Sequence, residues 1–533
     1  MNNVCDPCWY IKCLGSTVFT QDEKDNLQAT AFQVANGLTR RAYNGLRKFT
    51  KNKMTLHSKY VADRILEGAS ELTFKIYDCC IQSCICFAGE FENATICLIC
   101  EEPRYDQCKK AQNRFCYILI IPQLQAMFRD PTTINLLLHR VWRELNLDTI
   151  KDVLDGGVIQ RLLNSQVKID GEKQQYKYGE FKTNIFLALT CDGVSVHKGL
   201  GVRWSKMQYS CYPMEVIILN LSPTICTQDW YVFSLGVIPG PWELKHFNSF
   251  CWPLYQECLC GLEGIPTYHT IRHNFFPLHV YLIHIFGDLI AMIKALGTLG
   301  VGVIKPCHSC HIEAICDIHA KWKTYYLLLT IPGHSEPCLQ EILNNLQTHM
   351  DYLETYHRLD IATTEAEWKA IQKEMGIKHP SIFSLLPYFD MGHAVLGGFM
   401  HTIYINLFKA LIKLWHGDFK GLDTGTSNYT ILAAIWEQIG IETRDAVKTI
   451  PSSFVWSMLN IDTNFRNFTA EDSAFFMTWL VPYLLARRLP EPYYSHLLKL
   501  VDIVKICTGF GITMVEHAKL SIDIYEWQLK YEE

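Results

Sequence analysis

The chain has 533 residues, 49 Lys and Arg against 54 Asp and Glu, and 49% hydrophobic residues, enough for more than one core, which excludes a disordered chain or a short peptide factor. The net charge of −5 excludes a global pull toward nucleic acid or anionic membrane, so polyanion binding has to come from a local basic patch. The 22 cysteines follow an N-terminus, MNNVCDPCWY, that has no cationic start and apolar run; no secretory signal is expected, and reduced thiols or bound metal explain the cysteines better than an oxidised scaffold.

Residues 22–76 read as helical. Between Asn26 and Val61 there is no acid, while Arg40, Arg41, Arg47, Lys48, Lys51, Lys53 and Lys59 all fall there, as a solvated helix face or a phosphate-contacting surface. A compact cysteine block spans 77–104, and helix is expected over 121–144. Three runs rich in β-branched and aromatic residues follow: NIFLALTCDG (184–193), MEVIILNLS (214–222) and WYVFSLGVIPG (230–240). Separated by turn formers, they predict a meander. A helix-length segment covers 248–262, and the apolar run HVYLIHIFGD ends at Asp288. The most apolar stretch, 275–304, carries His279, His284, Asp288 and Lys294, so it reads as buried core and no membrane span is predicted. From 338 onward the chain reads as helix, broken at His379-Pro380, Gly397-Gly398, Gly417 and 490–492. Neither a 20–50-residue repeat nor a low-complexity tract is visible.

An acid therefore ends the first predicted strand, Asp192, and another ends a strand placed after three strands and a helix, Asp288. If those strands are neighbours, the carboxylates emerge side by side, the ribonuclease-H arrangement, which suits two-metal phosphoryl transfer. Each Asp can equally be a helix cap or turn residue. Cys80-x3-Cys84 and Cys97-x2-Cys100 are two close pairs that can converge on one tetrahedral Zn²⁺, or remain scattered buried thiols; Cys79 and Cys86 beside them blur the ligand choice. Cys5-x2-Cys8 has no evident partner pair. Cys307-x2-Cys310 needs two more ligands, with His308, His311, Cys316, His319, His349, His393 and His401 as candidates.

From about Val18 to the end, a series of segments in order resembles the transposases of CACTA-type (En/Spm-like) eukaryotic DNA transposons, DDE enzymes with a ribonuclease-H-like domain. Among them are YDCCIQSCICFAGEF with CLICEEPRY, DVLDGGVIQRL, LTCDGVSVHKG, LGVIPGPWELKHFNSFCWPL, GDLIAMIKALG, PCHSCHI and FMHTIYINLFKALIKLWHGDFKGLD. GVIPGP and CDGVS are the most specific. The resemblance implies Asp192 as the first catalytic acid and Asp288 as the second, holding Mg²⁺ or Mn²⁺. It implies Zn²⁺ at the cysteine sites, with His349 and His401 completing the Cys307/Cys310 site. It further implies double-stranded DNA at transposon terminal repeats as partner, homo-oligomers, and a nuclear location.

The family's third-acid helix begins Asp-Phe-Met-His and continues to Glu-Asn. Here Gly398 stands at the Asp position and Ile405 at the Glu position. Isoleucine can neither ligate a cation nor accept a proton, so a defective nuclease is expected; Asp390 and His393 lie too far upstream to replace it readily. Family members commonly continue past the equivalent of YEWQLKYEE, so a C-terminal part is expected to be missing. Both departures fit a decayed or domesticated copy. The competing reading is a catalytically silent zinc-containing DNA-binding or assembly protein. A nucleotide phosphohydrolase is a third, disfavoured because no G-x4-G-K-[ST] loop occurs.

The expected fold class is α+β: a ribonuclease-H-like mixed sheet with a helical insertion, flanked by an N-terminal helical and zinc-ribbon-like region and a C-terminal helical region. The expected division is 1–76 (helical, basic), 77–110 (zinc module), 111–180 (helical connector), 181–305 (first part of the ribonuclease-H-like core), 306–385 (insertion with the Cys pair), 386–420 (third-acid helix) and 421–533 (C-terminal helices).

Overall fold

The computed structural model describes all residues except 1–19, 36–37, 51–53, 71–72, 145, 147, 196–209, 318–323, 331–334, 420–426, 447 and 452–457. Cys5, Cys8, Lys51, Lys53 and His319 lie outside the described residues.

The molecule is mixed α and β, organised around one sheet. Seven of its eight strands are β1 (Phe74–Cys79), β2 (Asn113–Ile118), β3 (Ile185–Cys191), β4 (Ser210–Ile218), β5 (Val232–Ile238), β6 (Val280–Gly287) and β7 (Val395–Gly397), and the two-residue strand Val194–Ser195 pairs antiparallel with β4. They lie in the order β1-β2-β5-β4-β3-β6-β7. The β3-β4-β5 meander is antiparallel, as turn-separated strands require, whereas β6 runs parallel to β3 and β7 parallel to β6. Parallel neighbours need a crossover, and α1 (Phe247–Glu263) supplies it between β5 and β6. Its Phe247, Phe250, Cys251, Leu254, Cys258 and Leu262 recur at helical spacing and are buried in the main core.

Strands β3 and β6 are nearly continuous runs of buried residues, the pattern of strands covered on both faces. The apolar stretch 275–304 is thus core strand β6 followed by α2 (Leu289–Leu296). No helix among the described residues is long and apolar enough to cross a membrane.

Three details depart from the sequence expectations. The helical N-terminal part ends at Ser70, and 74–79 is strand β1, paired antiparallel with β2. Strand β2 joins the meander through Tyr117 opposite Gly236, where a Cβ would come within 2.2 Å of the Cys116 carbonyl oxygen. The largely helical C-terminal portion contains the three-residue strand β7, held by its pairing to β6. A π-helical segment, Met400–Leu407, follows β7 and continues as α3 (Phe408–His416). Tyr404, Phe408, Leu411, Ile412 and Trp415 from this stretch share a second hydrophobic cluster with Trp436, Phe476, Leu500 and Trp527, so the segment after β7 is part of the C-terminal helical core.

Candidate functional site

The parallel pairing of β3 and β6 sets the acidic site. Phe286 pairs with Thr190, and Asp288 and Asp192 each follow two residues later, so both carboxylates leave the sheet at the same edge. Asp192 is exposed and accepts a hydrogen bond from its neighbour's amide (Gly193 N, 2.7 Å). Asp288 is the N-cap of α2 and accepts from Ala291 N at 2.7 Å. The cap role and a ligand role are compatible, because each bond is to Oδ1 and Oδ2 is left for a cation.

A cavity of about 220 Å³ is lined by both acids together with Cys191, Tyr212, Phe247 and Lys294. The Lys294 ammonium lies 4.4 Å from the centre of the Tyr212 ring. Burial pushes the Cys191 thiol up to about 12; Lys294 opposes this, and Asp192, Asp288 and Glu215 reinforce it. Cys191 is therefore a protonated, inert wall of the cleft. Sequence reasoning noted Lys294 only as a charge interrupting an apolar run; its place in the cleft follows from its position on the helix that Asp288 caps.

Strand β7 brings a third chain tip to the same edge. Gly397 pairs with Gly287, and the Gly398 amide donates to the Gly287 carbonyl at 2.8 Å. A Cβ on Gly398 would stand 3.3 Å from His401 Nδ1, which places His401 beside this tip. Ile405 is half-buried, and it lies one helical step of four residues beyond His401. Ile403, Tyr404 and Leu407 between and after them pack on the C-terminal core. Asp390 precedes β7 and so belongs to the opposite end of that strand. It is engaged by Arg161 (3.0 Å) and His393 (3.1 Å), which removes both Asp390 and His393 as stand-ins at the acidic edge.

The thiols Cys80, Cys84, Cys97 and Cys100 come together, with all four sulfurs within 4.8 Å of one another. Cys80 and Cys100 are 3.4 Å apart, and the Gln82 amide donates to Cys80 Sγ at 3.3 Å. Ser83, between Cys80 and Cys84, and Glu101, just after Cys100, take positive φ, which tightens the turn at each pair. Burial pushes Cys80 up to about 12 and raises Cys84; Cys100, despite its desolvation, is held low by the Glu102 amide and its neighbouring thiols. Four sulfurs at this spacing, three of them buried, form a donor set that suits a tetrahedral cation such as Zn²⁺. Cys79 and Cys86 face each other across a β-bridge and belong to the main core, apart from the four-thiol cluster.

Cys307 and Cys310 form a pair in which the Cys310 S–H donates to Cys307 and lowers it to about 6. The Ser309 amide donates to Cys307 Sγ at 3.4 Å. His349 opens the His349–Ile361 helix, and its Nδ1 accepts from Met391 N at 3.2 Å. Among the described residues, Cys307, Cys310, His349 and His401 do not gather into a set of three or more ligand atoms like the four-thiol cluster.

The basic run forms the Arg40–Phe49 helix, capped by Thr39 and anchored by buried Tyr43 in a small core with Ala29, Leu56 and Ala62. Arg40, Arg41, Arg47 and Lys48 are exposed on it. Arg47 Nε donates to the Leu56 carbonyl at 2.9 Å, and Lys59 pairs with Asp63, so part of the patch also serves the local fold.

Residues 164–331 match the transposase family tnp2. The matched stretch contains β3 to β6, both edge acids and the Cys307/Cys310 pair, and it supports a transposase-like function and, with it, DNA binding. No curated protein matches the chain.

Proposed function

We propose that this chain is a DDE transposase-like protein of the CACTA type whose strand-cleaving chemistry is impaired. The observation that carries this reading is the meeting of Asp192 and Asp288 at the ends of adjacent parallel strands, inside the matched family stretch. An antiparallel three-strand meander followed by two strands parallel to its first is also the strand plan of ribonuclease-H-like folds, which supports that assignment, with 181–305 carrying the first four strands and β7 the fifth.

In this reading Asp192 and Asp288 hold Mg²⁺ or Mn²⁺ through their free carboxylate oxygens. A divalent cation there supplies an activated water or 3′-hydroxyl and support for the leaving oxygen. Lys294 offers its ammonium to a phosphate entering the cleft. The hydrophobic Ile405 continues the helix face that starts at His401 beside the third tip, so no carboxylate completes the set from that helix. The four-thiol module takes Zn²⁺ and braces β1 and β2 against the core. The Arg40–Phe49 helix contacts DNA phosphates at transposon terminal repeats, in the nucleus and with homo-oligomers as the working form. Zn²⁺ at Cys307 and Cys310 has support from the amide-to-sulfur bond at Cys307 but none for His349 and His401 as the completing ligands.

The test is strand nicking of a terminal-repeat duplex by the purified chain in Mg²⁺ or Mn²⁺. Ile405→Glu should exceed the wild type, and Asp192→Asn should abolish what remains. Wild-type activity equal to that of Ile405→Glu overturns the impaired reading. Gly398 and Ile405 at the third-acid positions also favour a second reading, a catalytically silent DNA-binding or assembly protein. It predicts salt-dependent duplex binding that survives Asp192→Ala with no nicking by any variant.

A further inference from the structure

The acid-free stretch between Asn26 and Val61 is built into three helices, Gln21–Ala35, Arg40–Phe49 and Lys59–Ser70. The first two are separated by four residues, 36–39, one of them Gly37, the connection length of a helix-turn-helix. Tyr43 is fully buried in one small core with Ala29 of the first helix, Leu56, and Ala62 of the third. Asn26, itself buried, ties the first helix to the chain before the third. Its side-chain amide donates to the Thr55 carbonyl at 2.8 Å, and its Oδ1 accepts from His57 N at 2.7 Å.

The buried Tyr43 fixes which face of the Arg40–Phe49 helix points outward. At about 100° per residue, Arg41, Gly45 and Lys48 lie opposite Tyr43 and Asn44 lies beside them; all four are exposed. Arg40 and Arg47 fall on the flank nearer the core, where Arg47 is bound to the Leu56 carbonyl.

This outward stripe is composed against helix stability. Arg40 and Arg41 occupy the first turn, which holds no acid, so both oppose the helix dipole. Asn44 and Gly45 are poor helix formers. A Cβ on Gly45 would meet nothing within 4 Å, so internal packing does not require the glycine. At the centre of an exposed basic face it instead lets another molecule approach the helix backbone.

We propose that the Arg40–Phe49 helix reads base edges in the major groove of duplex DNA, with Arg41, Asn44 and Lys48 as the specificity-determining side chains and Gly45 as the point of closest approach. The inference rests on the reading of the chain as a transposase-like DNA-binding protein and adds sequence readout to the phosphate contacts of that reading. Arg and Lys match the O6 and N7 acceptors of guanine, and an asparagine amide matches N6 and N7 of adenine. The second helix of a helix-turn-helix is the one that enters the groove. Phosphate attraction accounts for the cations, but it does not call for a glycine at the centre of the face.

The experiment enriches the tightest binders of the full chain from a library of random-sequence DNA duplexes. Affinity is then measured for the enriched duplex and for a scrambled duplex of the same composition, at several salt concentrations. Asn44→Ala should cut the ratio of the two affinities by about tenfold. Gly45→Gln should cut it as well, without loss of thermal stability, because the added side chain enters open space on a helix that gains a better former. Arg40→Gln should weaken both duplexes alike and lower the slope of log affinity against log salt by about one. Enrichment of no sequence, or a preference that survives both Asn44→Ala and Gly45→Gln, overturns base readout even where the Arg40→Gln result upholds the phosphate contacts. Duplex binding that none of the three variants alters ends the phosphate-contact reading as well.

Discussion

The Gly398 amide sits 2.8 Å from the Gly287 carbonyl, hydrogen-bonded to the residue that immediately precedes Asp288. The tip of β7 is therefore one strand away from the second acid. A Cβ at 398 would stand 3.3 Å from the Gly287 carbonyl oxygen and from His401 Nδ1, a tight fit that a shift of a few tenths of an ångström relieves. Gly398→Asp should fold and add a carboxylate to the acidic edge. The expected result is Mn²⁺ binding tightened by about tenfold, the scale of one added carboxylate–cation contact near a surface. Calorimetric titration checks it, and an unchanged affinity would detach the β7 tip from the metal.

Cys97 is fully buried within the thiol cluster. Cys97→Ala should release the zinc of that module and unfold it, because ligand convergence on zinc contributes on the order of 10 kcal/mol to structures of this kind. Chelation of the wild type should reproduce the effect. The check is proteolytic sensitivity between β1 and β2, which should rise sharply in both cases.

Glu257 is buried in α1 and accepts from Tyr117 Oη at 2.6 Å and from the amides of Ile120 and Ile121 at 3.0 and 2.9 Å. Glu257→Gln turns an amide N–H₂ toward these donors and should cost about 1–3 kcal/mol. Burial raises the Glu257 carboxyl above its ordinary 4.5 despite those bonds. A raised folded value stabilises the native state below the unfolded value, and that contribution is lost as pH rises through the folded one. The wild-type advantage over the variant in urea melts should therefore be largest in acid and shrink toward neutral pH.

His279 and His284 are buried in and beside β6, and burial pulls both below 6.5. Their ring nitrogens engage the Leu262 and Ala394 carbonyls. Below the unfolded value of 6.5 the unfolded chain takes up protons that the native state refuses, so stability is full above that pH and falls as pH drops through the window beneath it. Thermal melts between pH 7.5 and 5 should show this loss. His284→Gln should flatten the slope by up to one proton's worth, about 1.4 kcal/mol per pH unit.

Gly236 takes φ +128°, and a Cβ there collides with the Cys116 carbonyl. Gly236→Ala should cost about 2–3 kcal/mol through strain and a weakened β2–β5 junction. Equilibrium unfolding reads it directly, and a neutral result would mean that the junction adjusts freely.

The meander and the two edge acids were legible in the sequence because β3 to β6 are built from long apolar or β-branched runs that end in Asp192 and Asp288. The thiol cluster was legible from its spacing, which survives any change in surrounding structure. Strand β1 was not, since FKIYDC alternates exposed and half-buried positions and is a strand only because β2 pairs with it. Strand β7 is three residues long and follows a turn, so it carries almost no local pattern. The meeting of Glu90, His246 and His379 at one cavity depends wholly on tertiary packing.

The most direct test of the paired acids is Mn²⁺ titration of the full chain followed by electron paramagnetic resonance. The account predicts a bound Mn²⁺ that disappears in both Asp192→Asn and Asp288→Asn and binds more tightly in Ile405→Glu. Wild-type Mn²⁺ binding that persists unchanged in either Asn variant would contradict it.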